Sequence, residues 1–122
     1  MGAWYNPLGH YMPEELGGLP ISRFIEALAA EGCRTPRGIN APIHLHPVLN
    51  LADIYHDGKP TRIVFADRDL RQPRGSLPVS EDLALRTIGI PAFKHDRPEL
   101  ISRYAAAFRK VATNAEKLIE VQ

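Results

Sequence analysis

The sequence predicts a small mixed α/β chain, on three observations. An amphipathic helix pattern covers about 20–31, a longer one covers about 97–119, and short extended pieces rich in glycine and proline lie before and between them. At 122 residues and 44% hydrophobic, the chain fits one modest domain spanning 1–122. A domain of this size buries roughly two thirds of its unfolded surface, enough for a single core.

The elements follow in order. "GAWYNPLGHY" mixes aromatic residues with Gly and Pro, which suits an extended piece such as an edge strand. "LPISRFIEALAAEG" sets Ile21, Phe24, Ile25 and Leu28 at helical spacing, with Pro20 in the first turn and Gly32 as the stop. "CRTP" is a candidate short strand returning beside the first. From Gly38 to Leu77 the pattern is weak: "LHPVLNLADIY" allows a short helical turn and "TRIVFA" a short strand. An irregular run of that length usually belongs to a functional loop or to a surface that something else covers.

Beyond it, "LPVSEDLALRTIGIP" predicts a helix starting at Pro78 or Ser80, with Leu83, Leu85 and Ile88 apolar and Gly89 and Pro91 as the stop. "GIPAF" then continues extended. The last helix is the strongest signal. Asp96 is the expected N-cap, Glu99 occupies the capping-box position, and Pro98 is tolerated in the first turn. Leu100, Ile101, Tyr104, Phe108, Val111, Ala115, Leu118 and Ile119 form one apolar stripe facing the core.

Fifteen basic residues against 14 acidic ones give a net charge of +1, with no nucleic-acid footprint and no acidic tail. The lone Cys33 has no internal partner for a disulfide, which favours a reducing compartment. With no signal-like start and no stretch long enough for a bilayer, the expectation is a cytoplasmic protein without membrane contact.

Little of the usual catalytic vocabulary is present. "ELGG" and "QPRGSLP" lack the spacing of phosphate-binding glycine loops. Ser76 and Ser80 lack a nucleophile-elbow context, and Cys33 reads as a buried, inert thiol. The stretch holding Lys59, Arg62, Arg68, Arg71 and Arg74 is interrupted by Asp67 and Asp69, so it reads as a solvated loop before an anion or subunit contact. His44 and His46, in "GINAPIHLHPVLN", would point the same way from an extended segment, and imidazole suits zinc. A closed zinc site needs further ligands, and His10, His56 and His95 are scattered. A structural hydrogen-bonding role and a substrate-facing role both stay open for the pair.

Four stretches carry a resemblance: "ELGGLPISRFIEALAAEGC", "INAPIHLHPVLNLADIY", "GSLPVSEDLALRTIGIPAFK" and "YAAAFRKVATNAEKL". In order and approximate spacing they resemble the C-terminal small domain of the DegT/StrS family of sugar and aminocyclitol aminotransferases, over nearly all of the chain. The resemblance implies an α+β type of α/β fold: the small domain of a fold-type-I transferase dependent on pyridoxal 5′-phosphate (PLP), with a few antiparallel strands and helices packed on one side. It implies a longer enzyme, a homodimer, whose large domain carries the Schiff-base lysine and the aspartate for the pyridine nitrogen. Neither motif is found here, and Lys59, Lys94, Lys110 and Lys117 sit in other contexts. Such an enzyme moves an amino group from glutamine or glutamate to a keto-sugar or keto-cyclitol.

On that resemblance, this chain by itself is inactive, with no catalytic residue, no cofactor and no metal of its own. The expected substrate-binding residues are His44, which hydrogen-bonds a substrate hydroxyl or carboxylate, then His46, and then Asn40 and Arg37 on the preceding loop. Two other classes stay open: a non-catalytic interaction domain, and a small His-x-His metal-binding protein.

Overall fold

The computed structural model describes residues 7–36, 38, 40–93 and 95–120. The aromatic start of the expected first strand, the candidate residue Arg37 and Lys94 lie outside them. The chain divides into two compact units, Asn40–Leu85 and the union of Met1–Ile39 with Arg86–Gln122. The architecture is mixed: helices together with a two-stranded antiparallel sheet.

In the discontinuous unit, α1 (Ile21–Ala30) buries Phe24 and Leu28. Gly32 stops it with φ +79°, a left-handed conformation that a side chain would resist. The chain then closes back, the Cys33 N–H donating to Leu28 O at 2.8 Å. β1 (Leu8–His10) pairs antiparallel with β2 (Thr87–Gly89), Leu8 opposite Gly89 and His10 opposite Thr87.

β2 is fully buried and bonded on both edges. The Gly89 N–H donates to Pro36 O at 2.9 Å, and the Gly38 N–H donates to Thr87 O at 3.0 Å. Two glycines permit this close approach. A Cβ on Gly89 would sit 2.6 Å from Pro36 Cγ, and one on Gly38 would sit 2.7 Å from the Thr87 carbonyl carbon. The "CRTP" segment therefore returns beside β2, and not beside β1 as the sequence suggested.

The helix expected to run to Gly89 ends sooner. α3 covers Pro78–Arg86, and Thr87 and Ile88 enter the sheet instead. Both are β-branched, and pairing buries Ile88 to 4% exposure, which outweighs one more helical turn. Extension continues one residue further, where the Ile90 N–H donates to Pro7 O. "TRIVFA" forms no strand: its N–H groups serve local turns, such as Ile63 N–H to Pro60 O, and Phe65 is 87% exposed.

The N-cap of α4 (Pro98–Thr113) lies one residue later than predicted. With Pro98 at the first helical position, Arg97 is the N-cap, and Asp96 lies outside. Asn114 interrupts the helix, its Nδ2 donating to Lys110 O at 2.8 Å, and α5 (Ala115–Glu120) follows. The stripe is otherwise as expected. Val111 and Ala115 are buried, and Tyr104, Phe108 and Leu118 pack against the core, while Ile101 and Ile119 stay partly in solvent.

An aromatic row joins the elements. Tyr11 and Phe24 have ring centroids 5.1 Å apart, and Phe24 and Phe108 are 6.1 Å apart. The Tyr11 hydroxyl donates to Leu19 O at 2.7 Å, so its polar tip costs nothing inside. Cys33 is sealed, and burial pushes its thiol pKa up, as suits an inert side chain.

Leu28, with no exposed surface, is the firmest anchor of this core. Leu28→Ala is expected to destabilise by about 2–5 kcal/mol, and Phe108→Ala, whose ring is only half-buried, by roughly 1–3 kcal/mol. Denaturant midpoints check both values. An unchanged midpoint for Phe108→Ala would show that the α1–α4 contact contributes nothing.

Candidate functional site

The segment that holds the two histidines folds as two tight turns between prolines. Ile43–Leu45 forms a 3₁₀ turn, and Pro47, at the first position of α2 (Pro47–Asn50), starts the next. The predicted extended segment is absent, because Pro47 fixes φ for helix entry and His46 caps it. His46 Nδ1 accepts from the Val48 N–H at 3.2 Å. The two rings consequently do different things.

His44 is 4% exposed, and its Nε2 lies 3.0 Å from Glu81 Oε1. His46 is exposed. Asn50 closes the turn, its Nδ2 donating to His44 O at 2.6 Å and to His46 O at 3.1 Å. Arg71 in turn donates from Nη1 to Asn50 O at 3.2 Å, and its guanidinium forks onto Asp69. That fork holds the Asp69 carboxyl down at about 2.

Glu81, in the first turn of α3, gathers three segments. Besides the His44 ring it accepts the Gly75 N–H at 2.8 and 3.1 Å. Burial pushes its carboxyl up, but hydrogen bonds from His44, the Gly75 N–H and the Leu77 N–H outweigh it, leaving a net value below the usual range. The neighbouring loop is closed by Asp53, which accepts the N–H groups of Asp57 and Gly58.

Beside this network lies a cleft of about 520 Å³ lined by Leu45, Asn50, Asp69, Arg71, Gln72 and Pro73. Neither histidine is among those lining residues. Of the sequence candidates, His44 and His46 thus share a backbone clasp without sharing a face, and Asn40 is exposed. Among the described residues no three His, Cys, Asp or Glu side chains gather as a ligand set. Sequence reasoning missed Asn50, Asp69, Arg71 and Glu81, although Asn50 and Glu81 end the very stretches "HPVLN" and "LPVSE". Comparison with protein-family models, curated proteins and solved structures finds no match to this chain. Among the described residues no helix is long and apolar enough to cross a membrane.

Acid is expected to loosen this unit first. Because the folded Glu81 carboxyl is depressed, its contribution is fully present above the unfolded carboxylate range and is lost as pH falls through the folded value. Amide hydrogen exchange at Gly75 should therefore accelerate in acid before exchange at Cys33 or Val111 does. At neutral pH, Asn50→Ala should cost about 1–3 kcal/mol by leaving two turn carbonyls without their donor.

Proposed function

We propose that this chain is the C-terminal small domain of a PLP-dependent aminotransferase of the DegT/StrS type, acting on a keto-sugar or keto-cyclitol. Its place is within a longer, cytoplasmic, homodimeric enzyme whose large domain holds the cofactor. One observation carries the reading that the chain is a part of something larger: the 40–85 unit buries no large apolar side chain. His44 is its buried residue, while Ile43, Leu51, Ile54, Tyr55 and Phe65 are 59–87% exposed. A surface of that kind calls for a cover, and the large domain and the partner subunit are the covers that the sequence resemblance supplies.

Among the described residues, the lysines do not fit PLP by themselves. Lys110 pairs with Glu31 at 2.7 Å, Lys117 donates to Asn114 Oδ1 at 3.0 Å, and Lys59 is exposed. None of these three is buried in a pocket of the kind that turns a lysine into a nucleophile. The chain's own part is binding: it presents the His44 turn, and it holds that turn rigid through Asn50 and Glu81. His46, Asn40 and Arg37 are secondary candidates for substrate contact.

A test begins with the reading frame upstream of Met1, where a lysine-bearing large domain is expected in frame. The 122-residue chain should show scattered borohydride-trapped PLP adducts by mass spectrometry and no amino transfer from glutamine to a keto-cyclitol. A single labelled lysine together with turnover would overturn the assignment of the cofactor to another domain.

A further inference from the structure

We propose that the cleft beside the Arg71–Asp69 pair binds a free α-amino acid, with the ligand carboxylate on the Arg71 guanidinium and its ammonium on the Asp69 carboxylate. The inference goes beyond the aminotransferase reading and stands or falls on the cleft alone.

The cleft holds about 520 Å³, within the range of small-molecule sites, and both charged side chains line it. Each is within reach of a ligand: 35% of the Arg71 side chain and 51% of the Asp69 side chain are exposed. Each also keeps bonding capacity. Arg71 donates from Nε and Nη2 to Asp69 and from Nη1 to Asn50 O. A guanidinium has five N–H groups, so Nη1 and Nη2 carry one more each. Asp69 takes the Arg71 backbone N–H at 2.9 Å on Oδ1 and the Nη2 donor at 2.6 Å on Oδ2, which leaves a lone-pair position for a further donor. The Arg71 guanidinium holds the Asp69 carboxyl at about 2, so both signs are present throughout the neutral range.

A paired plus and minus select against simple ions. A bare anion that approaches Arg71 also meets the Asp69 carboxylate, and a bare cation at Asp69 meets the guanidinium. A zwitterion with both charges on one carbon answers the two together, and the alternating charges close a ring. The pair is also fixed in advance. Asp69 is tied to the Arg71 backbone, and Arg71 to the carbonyl of Asn50, whose side-chain amide clasps the carbonyls of His44 and His46. Little ordering is then left for binding to impose. Leu45 and Pro73 add apolar wall to the same cleft, which suits an aliphatic side chain.

Titration of the nitrogen-15-labelled 122-residue chain at neutral pH and constant ionic strength tests this, with the Arg71 Nε and Gln72 amide resonances as reporters. L-Valine should move both to saturation. Isovalerate, which is valine without the ammonium, and isobutylamine, which is valine without the carboxylate, should each bind weaker by about tenfold or more. A half-charged analogue that binds as well as valine would overturn the proposal, as would no response to valine or a tighter fit to myo-inositol. Asp69→Asn keeps an acceptor for the Arg71 backbone N–H and removes the negative charge. It should reverse the order, so that isovalerate binds better than valine, and an unchanged order would remove Asp69 from the site. If that variant loosens the turn, the wild-type series still decides.

Discussion

One carboxylate organises the 40–85 unit. Glu81 brings the Ile43–Leu45 turn, the loop at Gly75 and the start of α3 to a single point. Elsewhere in the chain that task falls to aliphatic and aromatic side chains. The difference is physical. Apolar burial contributes roughly 25 cal/mol per Å² in any orientation, so a core tolerates small shifts. A hydrogen-bonded centre is directional, and losing one member leaves the others buried without partners. The unit is well specified while Glu81 is ionised and loses its organising point when it is not.

The other unit depends on its central line of backbone. β2 takes partners on both edges, and Gly38 and Gly89 make room for the second of them. Around that line the Tyr11–Phe24–Phe108 row ties the strand ends to α1 and α4. Leu19, Leu28 and Cys33, the most completely buried side chains, sit in the same core. Periodicity along α1 and α4 is thus the visible part of a core whose strands are only three residues long.

That contrast explains which parts were legible in the sequence. The helices at 21–30 and 98–113 show as repeated apolar spacing, because each residue votes independently for the same face. Thr87 and Ile88 do not, since their choice of strand over helix depends on β1, which lies far off in sequence. "TRIVFA" erred the other way, as β-branched residues with no neighbouring strand to pair with. At the site, the histidines drew notice as residue types, while their opposite uses depend on one proline and on Glu81, 37 positions away. Arg71 and Asp69 looked like charges in a solvated loop; their value lies in the carbonyl of Asn50, which no local pattern announces.

The exposed side chains of the 40–85 unit follow from the same cause. In an ordinary turn the apolar residue goes inward and the polar one outward. Here Ile43 is 74% exposed and its neighbour His44 only 4%. With the centre of the unit occupied by the hydrogen-bonded groups of His44, Asn50 and Glu81, the aliphatic and aromatic residues of the segment have little interior to enter. Ile43, Leu51, Tyr55 and Phe65 are then left at the surface by the hydrogen-bonded centre itself. A hydrogen-bonded centre and an apolar exterior are two sides of one arrangement: the inward groups hold the Ile43–Leu45 turn, and under the proposed placement beside a large domain the outward residues gain the burial that this chain does not give them.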